Sequence, residues 1–202
     1  MDVDAAAKLA HWQMLMVLPG LLQVGPTDCA VLTSLEFRAK KRIGSARPDK
    51  VFANKEAAEM AIQFAALAGR LDAVEPLAEL QDVPDIDPGE AVLLSAAIVD
   101  RRAVIITGDK RAIRAVAQLA PRLREKLAGR IMCLEQILLK ALAIYGLEWL
   151  RDHVCISPRT ERSALVIMGS RCDAPIESVQ AALSSYIGEM ASLCEPSLLR
   201  SD

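Results

Sequence analysis

Asp2, Asp4, Glu90 and Asp109 stand at helix starts or strand ends, and Glu36 lies in a helix that could pack beside them. Each acid has an ordinary explanation. Glu90 can close a capping box opened by Asp87, Asp4 and Asp109 can be N-caps, Glu36 a helix-surface acid, and Asp2 an exposed terminal residue. As a set they have a chemical meaning, because alternating strands and helices gather such junctions on one edge of a parallel sheet. Four or five carboxylates there repel, and they stay ionised together only beside a compensating cation. Oxygen donors without His or Cys favour Mg²⁺ or Mn²⁺ over zinc. Such an ion would activate water and stabilise charge on a phosphodiester during in-line attack.

Residues 87–118 position two of these acids. Asp87 occupies an N-cap position, Pro88 follows at the first helical position, and Glu90 comes three residues after the cap. Ala91, Leu93, Leu94, Ala97 and Ile98 then repeat with helical spacing. Residues 103–107 form a short β-branched run, the composition of a strand covered on both faces. Gly108 breaks it, and Asp109 caps a helix whose apolar positions are Ile113, Val116 and Ala117.

Elsewhere the pattern predicts a helix over 5–18, capped by Asp4 and ended by Pro19-Gly20, and a second helix starting at Thr27 or Asp28 through Val31, Leu32 and Leu35. Asn54 caps a third helix running through 68, with Gly69 to end it, and 71–80 reads as a short helix interrupted near Pro76. Residues 130–134 read as another buried strand. A helix over 135–151 is weakened by Gly146, and an amphipathic helix covers 173–193. Ser163 to Met168 is too short to assign.

With 202 residues, 52% hydrophobic, the chain can bury one α/β core with a helical appendage. Aromatics at 3% favour helices packed on a modest sheet over an all-β fold. A net charge of −2 gives no support for wholesale nucleic-acid binding, but the basic residues cluster. Arg38, Lys40, Lys41, Arg42, Arg47 and Lys50 face a single acid, Asp49. Two further clusters are Arg101, Arg102, Lys110, Arg111, Arg114 and Arg122, Arg124, Lys126, Arg130. A solvated face is the plain account of any one cluster; three beside the acids make a phosphate-binding rim plausible. The five cysteines lack a CxxC pair, which argues against zinc, and no signal peptide or membrane-length apolar run is visible. Reduced thiols in a cytoplasmic protein are the simplest expectation.

The segments DPGEAVLLSAA and AVIITGDKRAIRAVA, with DVDAAAKLAHW at the start and LTSLEFRAKK between, resemble the PIN domain, a metal-dependent ribonuclease family that includes many toxins of toxin–antitoxin pairs. The resemblance implies a three-layer α/β/α fold with a short, mostly parallel sheet over residues 1–134, and a C-terminal helical extension over 135–202. It implies Asp2, Asp4, Glu36, Glu90 and Asp109 as ligands to Mg²⁺ or Mn²⁺, with Thr107 orienting a ligand or water by its hydroxyl. RNA would be the substrate, Arg38, Lys40, Lys41, Arg42, Lys110 and Arg111 would meet its phosphates, and an antitoxin or a second copy could be a partner. The family has a full hydrophobic strand before its first Asp, where this sequence has Met1 alone.

Two other readings compete. D-V-D near the start and Gly108-Asp109 late resemble haloacid-dehalogenase-type phosphatases, but Ala5 to Ala7 stand where a Thr or Ser is expected and no acid follows Asp109 up to Ala117. The third is a PIN-like scaffold without activity, acting through protein contacts. His11 and His153 invite no catalytic role, and Trp12 and Trp149 read as core or interface residues.

Overall fold

A computed structural model describes the chain except residues 48–49, 72–74, 76, 158–159 and 202. Two sequence readings, the lone acid Asp49 and the helix break near Pro76, lie outside the described residues. The fold is mixed α/β and mostly helical. In chain order its elements are α1 (Val3–His11), α2 (Leu18–Leu21), β1 (Ala30–Val31), α3 (Thr33–Ile43), α4 (Lys55–Leu67), β2 (Gly69–Arg70), α5 (Ala78–Gln81), α6 (Pro88–Val99) and β3 (Ile105–Thr107). They continue with α7 (Lys110–Ala117), α8 (Pro121–Leu127), β4 (Ile131–Cys133), α9 (Leu134–Val154), α10 (Arg162–Met168) and α11 (Ile176–Ala191).

The strands form two parallel pairs, β1 with β2 and β3 with β4. In a parallel pair alternate residues turn their backbone groups to opposite flanks. Cys29 and Val31 accept from β2 and its continuation through Gly69 N and Leu71 N, so Ala30 turns the other way, and its carbonyl accepts from Met1 N at 2.7 Å. Ile105 N donates to Arg130 on the β4 side, so Ile106 faces the opposite flank, where its carbonyl accepts from Asp2 N at 2.9 Å. Met1 and Asp2 therefore stand between the two pairs and join them. On the far side of β4, Ile131 N donates to Leu198 O and Ile131 O accepts from Arg200 N, which adds the C-terminal segment as an outer edge.

Helices cover both faces of these strands. Ile106 and Met132 belong to a core shared with Leu9, Trp12, Phe52, Phe64, Ile137 and Leu183 from α1, α4, α9, α11 and the loops between. Ile105, Ile131 and Cys133 turn to a second core built from Leu93, Ile113, Leu123 and Leu198. The first core runs from Met1 to Leu183, so the helices after 134 are packed into it.

The capping box at the start of α6 forms as the sequence predicts: Asp87 Oδ1 accepts from Glu90 N and Glu90 Oε2 from Asp87 N, each at 2.8 Å. Asn54 caps α4 through Ala57 N at 2.8 Å. The first helix departs from expectation. Asp2, not Asp4, caps it, and it stops at His11 because Gln13 adopts a left-handed φ of 54°. Pro19 lies in the first turn of the short α2, where its missing N–H costs nothing, and not at a helix end. The predicted second helix begins later, at Thr33, after a 3₁₀ turn and β1. At Gly146, φ of 85° and ψ of 174° break α9 into two segments, a backbone state open to glycine.

The expectation of reduced cysteines is also overturned for one pair. Cys155 and Cys172 form a disulfide with their Cα atoms 6.2 Å apart, clasping the end of α9 to the loop before α11. No spacing pattern in the sequence marks this pair. Closing a loop of 17 residues removes entropy from the unfolded chain, and Cys155→Ser should cost about 3 kcal/mol. Urea unfolding of the oxidised parent against the variant measures it; equal midpoints would mean that the bridge contributes nothing.

Candidate functional site

Three of the five predicted acids stand at helix starts near the carboxyl ends of the central strands. Asp2 follows the hydrogen bond to Ile106 and starts α1; Asp109 follows β3 by two residues and starts α7; Glu90 comes from the first turn of α6. Asp2 and Glu90 are each only 8% exposed, and Thr107 beside them is 5% exposed. Gly108 permits the close turn. A Cβ there would lie 2.7 Å from Leu134 Cδ1 and 3.3 Å from Lys8 Nζ. Thr107 Oγ1 accepts from Asp109 N at 3.1 Å, so the hydroxyl predicted to orient a ligand also fixes this turn.

The three carboxylates differ in how their charge is met. Asp109 has a cation: Arg111 Nη2 lies 3.0 Å from Oδ2, and the N–H groups of Arg111 and Ala112 donate to Oδ1. Burial opposes its charge, but the bonds from Arg111 outweigh burial and hold its carboxyl below the ordinary range. Among the described residues no ion pair includes Asp2 or Glu90. Asp2 accepts a long bond from Ala5 N at 3.4 Å, and the N–H groups of Ala5 and Val3 favour its charge without offsetting burial. Burial, with the charge of Asp4 adding to it, pushes Asp2 from 3.8 to about 6. Burial pushes Glu90 from 4.5 to about 7; the Asp87 N–H works against this, and repulsion from Asp87, Asp109 and Asp2 adds to it. That repulsion puts Asp2 and Asp109 each within electrostatic reach of Glu90.

The other two acids are diverted. Asp4 is half exposed and pairs with Lys8 at 2.5 Å. Glu36 is held by Lys40 at 2.5 Å and by Arg70 of β2 at 2.6 Å, and the Lys40 bond keeps its carboxyl low. The predicted phosphate contacts also divide. Arg38 and Lys41 are exposed. Lys40, Lys110 and Arg111 are engaged with Glu36, Glu135 and Asp109. Arg42 is buried and cannot meet RNA. Its guanidinium donates to the carbonyls of Phe52, Ser45 and Ala53 at 3.0 to 3.1 Å and ties the end of α3 to the loop before α4. Arg130 of the third cluster is likewise structural, donating to Ala103 O at 2.8 Å and Ala97 O at 3.0 Å.

Sequence reasoning misses a second charged group around Gly108. Lys8 bridges Asp4 and Glu161, while Lys110 pairs with the buried Glu135 at 2.8 Å beneath the ring of Tyr186. Glu135 is findable by the logic that finds Asp109, since it opens a helix directly after a buried strand. Glu161, from the unassigned region before α10, carries no signal. His11 proves structural, its Nε2 accepting from Ala53 N at 3.2 Å, and Trp12 is fully buried.

An all-oxygen donor set suits Mg²⁺ or Mn²⁺. Among the described residues, however, no three His, Cys, Asp or Glu side chains are already arranged to hold an ion. Asp109 faces Arg111, and Asp2 and Glu90 each give an oxygen to a helix N–H.

The raised carboxyls fix a sign. Asp2 and Glu90 hold protons more tightly in the folded chain than in the unfolded one, so their contribution is complete below about pH 4 and is lost as pH rises through about 6 and 7. Glu90→Gln keeps an oxygen for Asp87 N but cannot ionise. It should therefore gain stability over the parent as pH rises from about 5 to about 8. Urea unfolding across that range measures the difference; a gap independent of pH would contradict the buried, unpaired carboxyl. The chain matches no family model, no curated protein and no solved structure.

Proposed function

We propose that the chain is a Mg²⁺- or Mn²⁺-dependent endoribonuclease of the PIN type, with Asp2, Glu90 and Asp109 as the ion's ligands. The observation that carries this reading is the pair Asp2 and Glu90. Two buried carboxyls that form no ion pair among the described residues, beside a third acid at the carboxyl ends of parallel strands, are a costly arrangement that a divalent ion would relieve. The order of neighbours, β2, β1, residues 1–2, β3, β4, with helices on both faces, agrees with a three-layer α/β/α domain of that kind.

When bound, the ion would supply Lewis-acid stabilisation of a phosphodiester during attack by water. The chain's own part is more specific. Asp109 would be one of the residues to hold the ion, and Arg111, now paired with it at 3.0 Å, is the guanidinium nearest at hand for a phosphate. Glu90, whose Oε2 is held by Asp87 N, would offer its other carboxyl oxygen to the ion. Arg38 and Lys41, exposed on α3, extend the contact to further phosphates. Glu36 stays outside the ligand set, held by Lys40 and Arg70.

An inactive scaffold is favoured by one observation, the capture of Asp109 by Arg111. A single series separates the two. Millimolar Mn²⁺ should raise the melting temperature of the parent at pH 8 and much less at pH 5, where Asp2 and Glu90 hold protons. Asp109→Asn should abolish that shift and Mn²⁺-dependent cleavage of single-stranded RNA while leaving the circular dichroism spectrum unchanged. No Mn²⁺ shift in the parent, or undiminished cleavage by the variant, would defeat the nuclease.

A further inference from the structure

Phe37, near the middle of α3, is 68% exposed. A lone apolar side chain on a surface is ordinary, so its meaning lies in what surrounds it. Helical spacing puts Ser34 one turn before Phe37 and Lys40 and Lys41 one turn after it, with Arg38 adjacent. Arg38 and Lys41 are exposed, and among the described residues no ion pair includes either. Glu36, the acid of α3, is met twice, by Lys40 and by Arg70, so that group keeps a net positive charge. Among the described residues no ring contact includes Phe37. What α3 shows to solvent is a bare aromatic face set among cations.

We infer that Phe37 is a stacking platform for an unpaired base of RNA, with Arg38 and Lys41 holding the phosphates beside it. The inference rests on the nuclease reading for the strand that arrives, but stacking itself needs no divalent ion. Every base has a π-face, and single strands are held by cations along the backbone and an aromatic ring under the base. A duplex keeps its bases stacked inside and offers the ring nothing. The place on the fold agrees. Leu32, which precedes α3, meets the start of α6: its Cδ1 would stand 3.0 Å from a Cβ at Gly89, the residue before Glu90. At 1.5 Å per residue, Phe37 lies about 6 Å along α3 from Thr33, so a strand leaving the acids along this helix passes over the ring. The exposed Tyr145 lacks both properties. Its ring lies 4.4 Å from Trp149, and its neighbours Glu148 and Asp152 are exposed acids that repel a phosphate backbone.

The test uses the full chain in EDTA, so that nothing is cleaved, and a labelled oligouridylate of about twelve nucleotides. Saturable binding is expected, and Phe37→Ala should weaken it about tenfold. Phe37→Leu keeps apolar bulk without a ring and should bind as weakly as the alanine variant, whereas Phe37→Tyr should restore the parent's affinity. Phe37→Trp should show indole fluorescence that is quenched as the oligouridylate saturates. Arg38→Gln combined with Lys41→Gln should flatten the salt dependence of binding, which Phe37→Ala leaves unchanged. Pairing the oligouridylate with oligoadenylate should abolish the effect of Phe37→Ala. Absence of saturable binding by the parent, equal binding by Phe37→Ala, or full rescue by Phe37→Leu would overturn the inference. The nuclease is read separately from Mn²⁺ stabilisation and cleavage. Ring-dependent binding in a chain that shows neither defeats the nuclease and leaves the stacking site standing; cleavage that ignores Phe37 does the reverse.

Discussion

Two backbone hydrogen bonds hold this architecture together. Met1 N to Ala30 O and Asp2 N to Ile106 O are the bonds between two otherwise separate parallel pairs. Each is worth only about 1 kcal/mol net, yet they determine where Asp2 sits. With its backbone fixed against β3, Asp2 begins α1 at the carboxyl edge of the strands, where Asp109 and Glu90 also arrive. The acids converge because the strand ends converge.

That convergence carries an electrostatic cost, met unequally across the site. Asp109 has Arg111, Asp4 and Glu161 have Lys8, Glu135 has Lys110, and Glu36 has Lys40 and Arg70. Asp2 and Glu90 form no ion pair among the described residues, and both hold their protons toward neutrality. Unpaired buried carboxyls are more often functional than structural, since a core of the same shape would be steadier with apolar groups in their place. The surrounding lysines show that the fold can supply a cation where it needs one.

Much of the site is legible in the sequence because its signals are local. Asp87, Pro88 and Glu90 mark a helix start by type and spacing alone, and 103–107 marks a strand by composition, so residue type and order suffice to place Glu90 and Asp109. What the sequence hides depends on distant partners. β1 and β2 have two residues each, too few for a periodic signal, and they exist through pairing across a gap of almost forty residues. Asp2 reads as an exposed terminal residue because nothing local tells that its backbone is caught by Ile106. Arg42 belongs to a basic run by sequence, but three carbonyls from the following loop turn it inward. The Cys155–Cys172 bridge likewise depends on α9 and the loop before α11 packing together before the two thiols can meet.

The central claim is that Asp2 and Glu90 form a buried, cation-hungry pair. Carbon-13 NMR titration of their carboxyl carbons, with and without saturating Mg²⁺, tests it most directly. The account predicts midpoints of about 6 and about 7 in the metal-free protein, both falling by more than a unit when Mg²⁺ is present. Midpoints close to the ordinary 3.8 and 4.5, unmoved by Mg²⁺, would contradict it.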